Sequence, residues 1–408
     1  MNKKIELLAP AGDLEKLKTA IIYGADAVYF GGELFSLRAG AGNLSIDEIK
    51  EAMDFVHERN CKGYMTINIY PHNEDIPLLR DYITKLKDIP IDAFIVSDPG
   101  VILLIREQIP NAEIHLSTQA NTTNYVTANF WAAHGVTRIV SAREMSIEDL
   151  SFMKKQLPEN VEIESFIHGA MCISYSGRCL LSNFMVGRDA NRGACTHPCR
   201  WKYALMEEKR PGEYFPIEED SRGSYILNSR DMCMIDSIPE LVNAGVTSFK
   251  IEGRMKSMYY VATIVAAYRA AIDNYLADPD NYVYDEKYFK ELCKASHREF
   301  THGFYFNKPT DKDQNYLTSE YTRDYSFVGL VKGYEENSGL TIVEQRNKFS
   351  VGDVIEIFGP RTEYYEEIIT EMYDEEGNAV QSAPHPRQVL KIKFVRNPGV
   401  DFIMRKKK

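Results

Sequence analysis

Between Gly169 and Trp201 the chain reads GAMCISYSGRCLLSNFMVGRDANRGACTHPCRW, and four of its seven cysteines fall inside this stretch. Cys172, Cys179, Cys195 and Cys199 span 28 residues, with six, fifteen and three residues between successive members. Interleaved with Gly177, Gly187, Gly193 and Pro198, they cannot all face one apolar core, where an unpaired cysteine usually sits. They read as ligands. Thiolates take soft metals, so zinc, an iron-sulfur cluster and disulfides compete. Structural zinc sites are built from two tight knuckles with about two to four residues between ligands, a spacing that only Cys195 and Cys199 have. The wide first gap suits a chain wrapped around a larger object, which sets a cluster slightly ahead of zinc on spacing alone. Disulfides come last, because nothing else in the sequence points to an oxidising compartment.

The charged residues from Arg178 to Lys202 are Arg178, Arg188, Asp189, Arg192, Arg200 and Lys202. Most such runs are solvated faces. This one coincides with the cysteines and with Tyr175, Phe184 and Trp201, a mixture in which cations meet phosphates and rings stack on bases. The five cations are therefore candidate RNA contacts.

Elements on either side must hold this segment in place. The first 256 residues repeat a short apolar run followed by an amphipathic helical run. Strand candidates are Ile5 to Ala9, Ala27 to Phe30, Tyr64 to Ile69, Ala93 to Val96, Glu113 to Leu116, Arg138 to Ser141, Glu162 to Ile167 and Ser248 to Glu252. Most are continuously apolar, as strands covered on both faces should be. Helical patterns lie between them at Leu14 to Tyr23, Ile46 to Arg59, Pro77 to Lys87, Pro99 to Gln108, Val126 to His134 and Ile147 to Leu157. Eight alternating units predict an α/β fold, a closed (β/α)8 barrel of the TIM type. The alternative, an open doubly wound sheet, lacks its nucleotide signals: Gly40-Ala41-Gly42 has no third glycine and no Walker sequence occurs.

A barrel of this type works at the C-terminal ends of its strands. Arg38, Asn68, Gln119, Arg143, Lys250 and Arg254 fall there, and the basic ones make a mouth suited to phosphate or a dicarboxylate. Glu164, His168 and Glu252, at the ends of the seventh and eighth strands, are the candidate acid-base groups. Asp98 and Ser146 are read as helix caps.

After the seventh strand the connection from Gly169 to Thr247 takes 79 residues, too long for an ordinary loop. The four-cysteine segment, 169–201, organises its start, and Ile235 to Ala244 is the expected closing helix. Cys61 and Cys293 sit in helical patterns as packing residues, while Cys233 adjoins the closing helix and is a lesser candidate for the metal site. The barrel unit, with helices at Tyr259 to Tyr275 and Glu286 to Ala295, is predicted to occupy residues 1–308, followed by a polar linker over 309–325. Short alternating strands at Phe327 to Val331, Gly339 to Val343, Val354 to Phe358, Tyr364 to Met372 and Val389 to Ile392 predict a small antiparallel β-barrel over 326–403. Arg405-Lys406-Lys407-Lys408 reads as a disordered tail.

With 408 residues, 44% hydrophobic and 26% charged, the composition is that of a globular protein. No run approaches a membrane span and MNKKIELLAP carries no hydrophobic signal region, so a cytoplasmic location without membrane association is expected. Net charge of -11 excludes unspecific coating of nucleic acid but not a local basic site.

Glu164, Phe166, Gly169, Cys172, Gly177, Cys179 and Ser182 stand as E-x-F-x-x-G-x-x-C-x-x-x-x-G-x-C-x-x-S, which resembles the signature of the collagenase-like peptidase family U32. Asn228-Ser229-Arg230-Asp231, Lys250-Ile251-Glu252-Gly253-Arg254 and Glu6-Leu7-Leu8-Ala9-Pro10-Ala11-Gly12 resemble it too. Length and the added C-terminal segment make the chain most similar to the branch that forms 5-hydroxyuridine at the tRNA wobble position. That resemblance implies a 4Fe-4S cluster on the four matched cysteines, tRNA as partner and prephenate as required co-substrate. The peptidase label implies a nucleophile with a base, or a zinc-bound water. No H-E-x-x-H or G-x-S-x-G occurs, and His297 and His302 have Glu299 misplaced for a zinc motif. Cys61 or Cys233 with a histidine is the arrangement left to a peptidase. A third possibility is an RNA-binding module whose metal is purely structural, against which the polar mouth argues. The chain shows no flavin fingerprint and no facial triad, so the cysteine site is its one redox-capable feature.

Overall fold

The structure, a computed structural model, describes residues 5–38, 40–172, 174–201, 204–205, 215–216, 230–308 and 321–408. Seven parallel strands follow in order: β1 (Glu6–Ala11), β2 (Ala27–Gly31), β3 (Lys62–Ile67), β4 (Ala93–Val96), β5 (Ile114–Leu116), β6 (Arg138–Val140) and β7 (Glu162–Ala170). An eighth, β8 (Ser248–Ile251), is hydrogen-bonded to both β7 and β1, so the sheet closes on itself. Helices α1 (Leu14–Ile22), α2 (Ile46–His57), α3 (Ile76–Leu86), α4 (Pro99–Gln108), α5 (Tyr125–Ala133) and α6 (Ile147–Gln156) surround it. This is the expected TIM-type barrel.

Local chemistry explains the boundaries. Asp13, Ser45, Asp98 and Ser146 each accept a hydrogen bond from the third residue of the following helix, satisfying backbone donors that the helix leaves unpaired. Outward strand residues such as Leu7, Val28 and Phe30 join the helices in one core, while Leu8, Tyr29, Tyr64 and Ile95 fill the interior. Deeper in the barrel, Arg138 is ion-paired to Glu6, Glu162 and Glu164, and Glu6 also accepts from Tyr64 Oη at 2.6 Å and Ser248 Oγ at 2.7 Å. Charges out of water are tolerated only when partnered in this way.

Beyond Gly169 the barrel pattern is interrupted. The end of β7 pairs antiparallel with a short strand, Asp231–Cys233, which in turn pairs with Phe300–Thr301. The closing helix α8 is shorter than expected, Ile238–Asn243. Helix α9 (Met258–Ala277) is buried along most of its length and packs on α1, and α10 (Lys287–Leu292) lies beside it.

The C-terminal unit is an open half-barrel, less closed than the sequence implies. Its strands β9 (Tyr325–Glu335), β10 (Leu340–Gln345), β11 (Val354–Phe358), β12 (Tyr365–Ile368), β13 (Met372–Tyr373), β14 (Val389–Ile392) and β15 (Ile403–Lys407) form one antiparallel sheet in the order β12-β11-β15-β9-β10-β14-β13. They curl around Val328, Val343, Ile355 and Leu390. β15 corrects the sequence expectation of a disordered tail: it is an interior strand, and Arg405 is fully buried between Glu291 of α10 and Glu356 of β11. Most of the expected linker lies outside the described residues; within it, Thr322 pairs with His297. Leu330, Phe358 and Ile403 of the half-barrel belong to the barrel's own core, so the two units are packed as one body. No described helix is long and apolar enough to cross a membrane.

Candidate active site

A cavity of about 800 Å³ opens at the C-terminal ends of the barrel strands. Cys172, Cys179, Cys195 and Cys199 line it together with Arg38, Asn68, Gln119, Arg143, Lys250, Glu252 and Arg254. Two glycines let the cysteine segment lie this close. Gly169, at φ 111° near the end of β7, lies against Glu252, where a Cβ would stand 2.7 Å from that residue's carbonyl oxygen. Gly177, at φ 74°, packs on Gln119 and Tyr70, whose oxygens would be 2.6 and 2.7 Å from a Cβ. A side chain at either position would have to displace the neighbouring wall. The segment continues through α7 (Leu181–Val186), Asn191 donates to the Cys179 carbonyl at 3.1 Å, and the His197 N–H donates to Cys195 Sγ at 3.4 Å.

Cys172, Cys179 and Cys195 are free thiols. Among the described residues no three His, Cys, Asp or Glu side chains are grouped to hold a single ion; the thiols are distributed around one cavity. Arg143 Nη1 donates to Cys172 Sγ at 3.8 Å, and Arg38 feels the Cys172 and Cys195 sulfurs, so the cations that would offset thiolate charge are in place. A donor set of thiols alone fits a soft metal or an iron-sulfur cluster and not a hard cation.

Glu252 organises the mouth, pairing with Arg143 at 3.0 Å and Arg38 at 3.5 Å. Burial would raise its carboxyl, but Arg38, Arg143, Arg254 and Lys250 overcome this and hold it below the usual carboxylate range. Lys250 lies under the mouth, its Nζ 2.6 Å from Glu164 and 4.2 Å from the centre of the Tyr29 ring; burial lowers its proton affinity against the pull of Glu164. Arg254 differs from the others. Its Nη1 donates to Ser36 Oγ at 2.8 Å and Thr66 Oγ1 at 3.0 Å, both neutral acceptors. Burial brings its pKa down to about 10, so it stays charged at neutral pH without a carboxylate in contact. A buried guanidinium with spare donors has the chemistry to take an anion at the floor.

Several sequence candidates land elsewhere. Glu164 is fully buried below the cavity, held by Lys250 and Arg138. His168 is not brought to the mouth at all. Alternate residues of β7 point inward through Phe166, but the register against β8 shifts between Lys250 and Ile251 and matches His168 to Ile251, a residue of the outer core. His168 therefore lies among Tyr260, Tyr268 and Phe300, where burial pushes its pKa down to about 3. Cys233 is likewise outside the cavity, 3.8 Å from Tyr268 Oη. Of the five proposed RNA contacts, Arg178 and Arg188 are exposed and Arg192 is paired with Asp75 at 3.0 Å; the Arg200 side chain and Lys202 lie outside the described residues.

Sequence reasoning missed Tyr29 and Phe166, whose rings lie under Lys250 and Arg143, although strand alternation points both inward. It also missed the outer wall, where Lys256, Tyr321, Arg323, Phe327, Asn347 and Lys408 line the cavity. No local signal ties those C-terminal residues to the mouth.

Residues 12–315 match peptidase family U32 and residues 323–405 match the peptidase family U32 C-terminal domain. The chain is 43% identical over 408 residues to the tRNA hydroxylation protein P1 of Bacillus subtilis, covering 100% of this chain and 96% of the relative. It is 38% identical over 401 residues to the tRNA hydroxylation protein P of Escherichia coli, covering 88% and 87%. A Porphyromonas gingivalis protein named collagenase is 33% identical over 374 residues, covering 88% and 87%. On the family match over both of its units and on these near end-to-end relatives, the chain belongs to peptidase family U32.

Proposed function

We propose that this chain is a tRNA-modifying enzyme that forms 5-hydroxyuridine at the wobble position, requires prephenate as co-substrate and acts in the cytoplasm. The observation that carries the proposal is that four cysteines and an Arg254 guanidinium hydrogen-bonded to two hydroxyls face one cavity. The names of the Bacillus and Escherichia relatives support it. Cys172, Cys179, Cys195 and Cys199 hold a 4Fe-4S cluster, which supplies one-electron chemistry when bound. Arg254 takes a carboxylate of prephenate, Arg143 helps to orient it, and Glu252 keeps Arg38 and Arg143 in position. Glu252 is the acid-base candidate that faces the cavity; Glu164 acts only through Lys250.

A peptidase reading has the Porphyromonas relative's name in its favour. It needs an activated nucleophile, and burial pushes the Cys233 thiol up to about 12, the wrong direction for a thiolate at neutral pH. The test is to express the chain in a host that lacks wobble 5-hydroxyuridine and to measure that nucleoside in its tRNA by mass spectrometry. Restoration that disappears in a host unable to make prephenate is expected; no restoration overturns the proposal.

A further inference from the structure

The cavity does not end at the barrel mouth. Its outer wall is formed where the half-barrel abuts β8 and α9, and that wall carries Lys256, Arg323 and Lys408. Together with Arg38, Arg143, Lys250 and Arg254 they make seven cations lining the cavity among the described residues, against one carboxylate, Glu252. In a chain of net charge -11 this is a local inversion of sign.

The inner and outer cations differ in their commitments. Arg38 and Arg143 are paired with Glu252, and Lys250 is paired with Glu164, so the floor is matched to one small anion at Arg254. Arg323 and Lys408 are exposed, and Lys256 is held over the Tyr321 ring, 3.8 Å from its centre. Three more cations at the rim exceed what a single small acid needs. They suit a polyanion with repeated phosphates crossing the opening.

The wall is also fixed relative to the mouth. Tyr23 Oη, just past the end of α1, donates to the Asp401 carbonyl at 2.8 Å, and Phe327, whose carbonyl accepts from Asn347 within the half-barrel at 2.7 Å, stacks on Tyr259 of α9 with ring centres 5.8 Å apart. A phosphate seated on this wall is therefore held at a set place with respect to the four cysteines.

We infer that the half-barrel is an RNA-docking element, in which Arg323 and Lys408, with Lys256 beside them just before α9, hold the backbone of a single-stranded segment while one of its bases enters the barrel mouth. This rests on the reading that the substrate is RNA, and it assigns the C-terminal unit a role that neither the cysteine segment nor the mouth supplies.

The experiment uses the full chain, prepared anaerobically, and a fluorescently labelled anticodon stem-loop with uridine at the wobble position, followed by anisotropy across a salt series. The double variant Arg323→Ala/Lys408→Ala is expected to weaken binding about tenfold. The slope of log affinity against log salt should fall in magnitude by about 1.4, since each single-strand phosphate contact contributes about 0.7. An unchanged thermal midpoint for the variant shows that the loss is not unfolding. Wild-type affinity and slope in the double variant overturn the docking role while leaving the proposed function standing. A wild-type chain that neither binds the stem-loop nor restores 5-hydroxyuridine overturns both.

Discussion

Arg254 is held by two hydroxyls rather than by a carboxylate, which on the proposed function leaves its charge for the co-substrate. Arg254→Ala removes a charge-assisted contact that contributes about 1.5 to 3 kcal/mol, so prephenate affinity, read by calorimetric titration, should fall about tenfold or more. Arg254→Lys should not rescue it, because one ammonium does not reproduce the planar fork that donates to Ser36 and Thr66. Unchanged affinity in both variants would remove Arg254 from the anion site. Each single alanine change at Cys172, Cys179, Cys195 or Cys199 should strip iron and sulfide from anaerobically prepared protein; full iron in all four defeats the cluster, and zinc in its place revives a structural metal. His168 gives the pH dependence. Its folded pKa of about 3 lies below the ordinary value near 6.5, so the unfolded chain binds the extra proton. Stability from this group is complete above about pH 6.5 and is lost as pH falls toward 3, at about 1.4 kcal/mol per pH unit. His168→Phe keeps a ring among Tyr260, Tyr268 and Phe300, and its urea midpoint should vary less steeply between pH 4 and 6.5 than that of the wild type. At this scale Arg254 and Arg143 were legible as strand-end cations. Ser36 and Thr66 were not, because hydroxyls on other elements acquire their role only when the barrel closes.

The barrel strands and helices were legible because a parallel barrel writes its burial into uninterrupted apolar runs: Ala93–Val96 and Pro99–Gln108 lie where the pattern places them. His168 was misplaced by a single register shift, which no period-two rule anticipates. β15 was missed for a different reason. Its basic residues resemble a solvated tail until Glu291 on α10 and Glu356 on β11 are brought to Arg405, and both partners are remote in sequence. Arg405→Ala opens a void beside Glu356 and the partly exposed Glu291, and because both carboxylates keep Lys294 as a partner the loss should fall below the about 3 to 5 kcal/mol of a buried charge left alone. Urea denaturation should show that loss; a variant within about 0.5 kcal/mol of wild type, the range of ordinary surface changes, would mean that β15 is held by its backbone pairing alone.

At the scale of the whole molecule, the net charge of -11 concealed a cavity of opposite sign, because a sum over the chain carries no position. The same holds for the two units. The sequence divides into a barrel and a strand-rich segment, yet Leu330, Phe358 and Ile403 are buried in the barrel's core and Tyr23 Oη reaches across to Asp401. Neither unit can open alone without exposing that shared surface, so the chain should unfold in one transition despite a length at which separate domains usually melt separately. Both tryptophans, Trp131 and Trp201, precede the half-barrel, so tryptophan fluorescence reports the barrel unit, while hydrogen exchange of the β9, β10 and β15 amides reports the half-barrel. The two urea midpoints should coincide, and Arg405→Ala should lower both together. If the half-barrel amides exchange at a urea concentration where fluorescence is still native, the units are energetically separate. The outer wall would then be free to leave the mouth, and the fixed geometry on which the RNA-docking role depends would be lost.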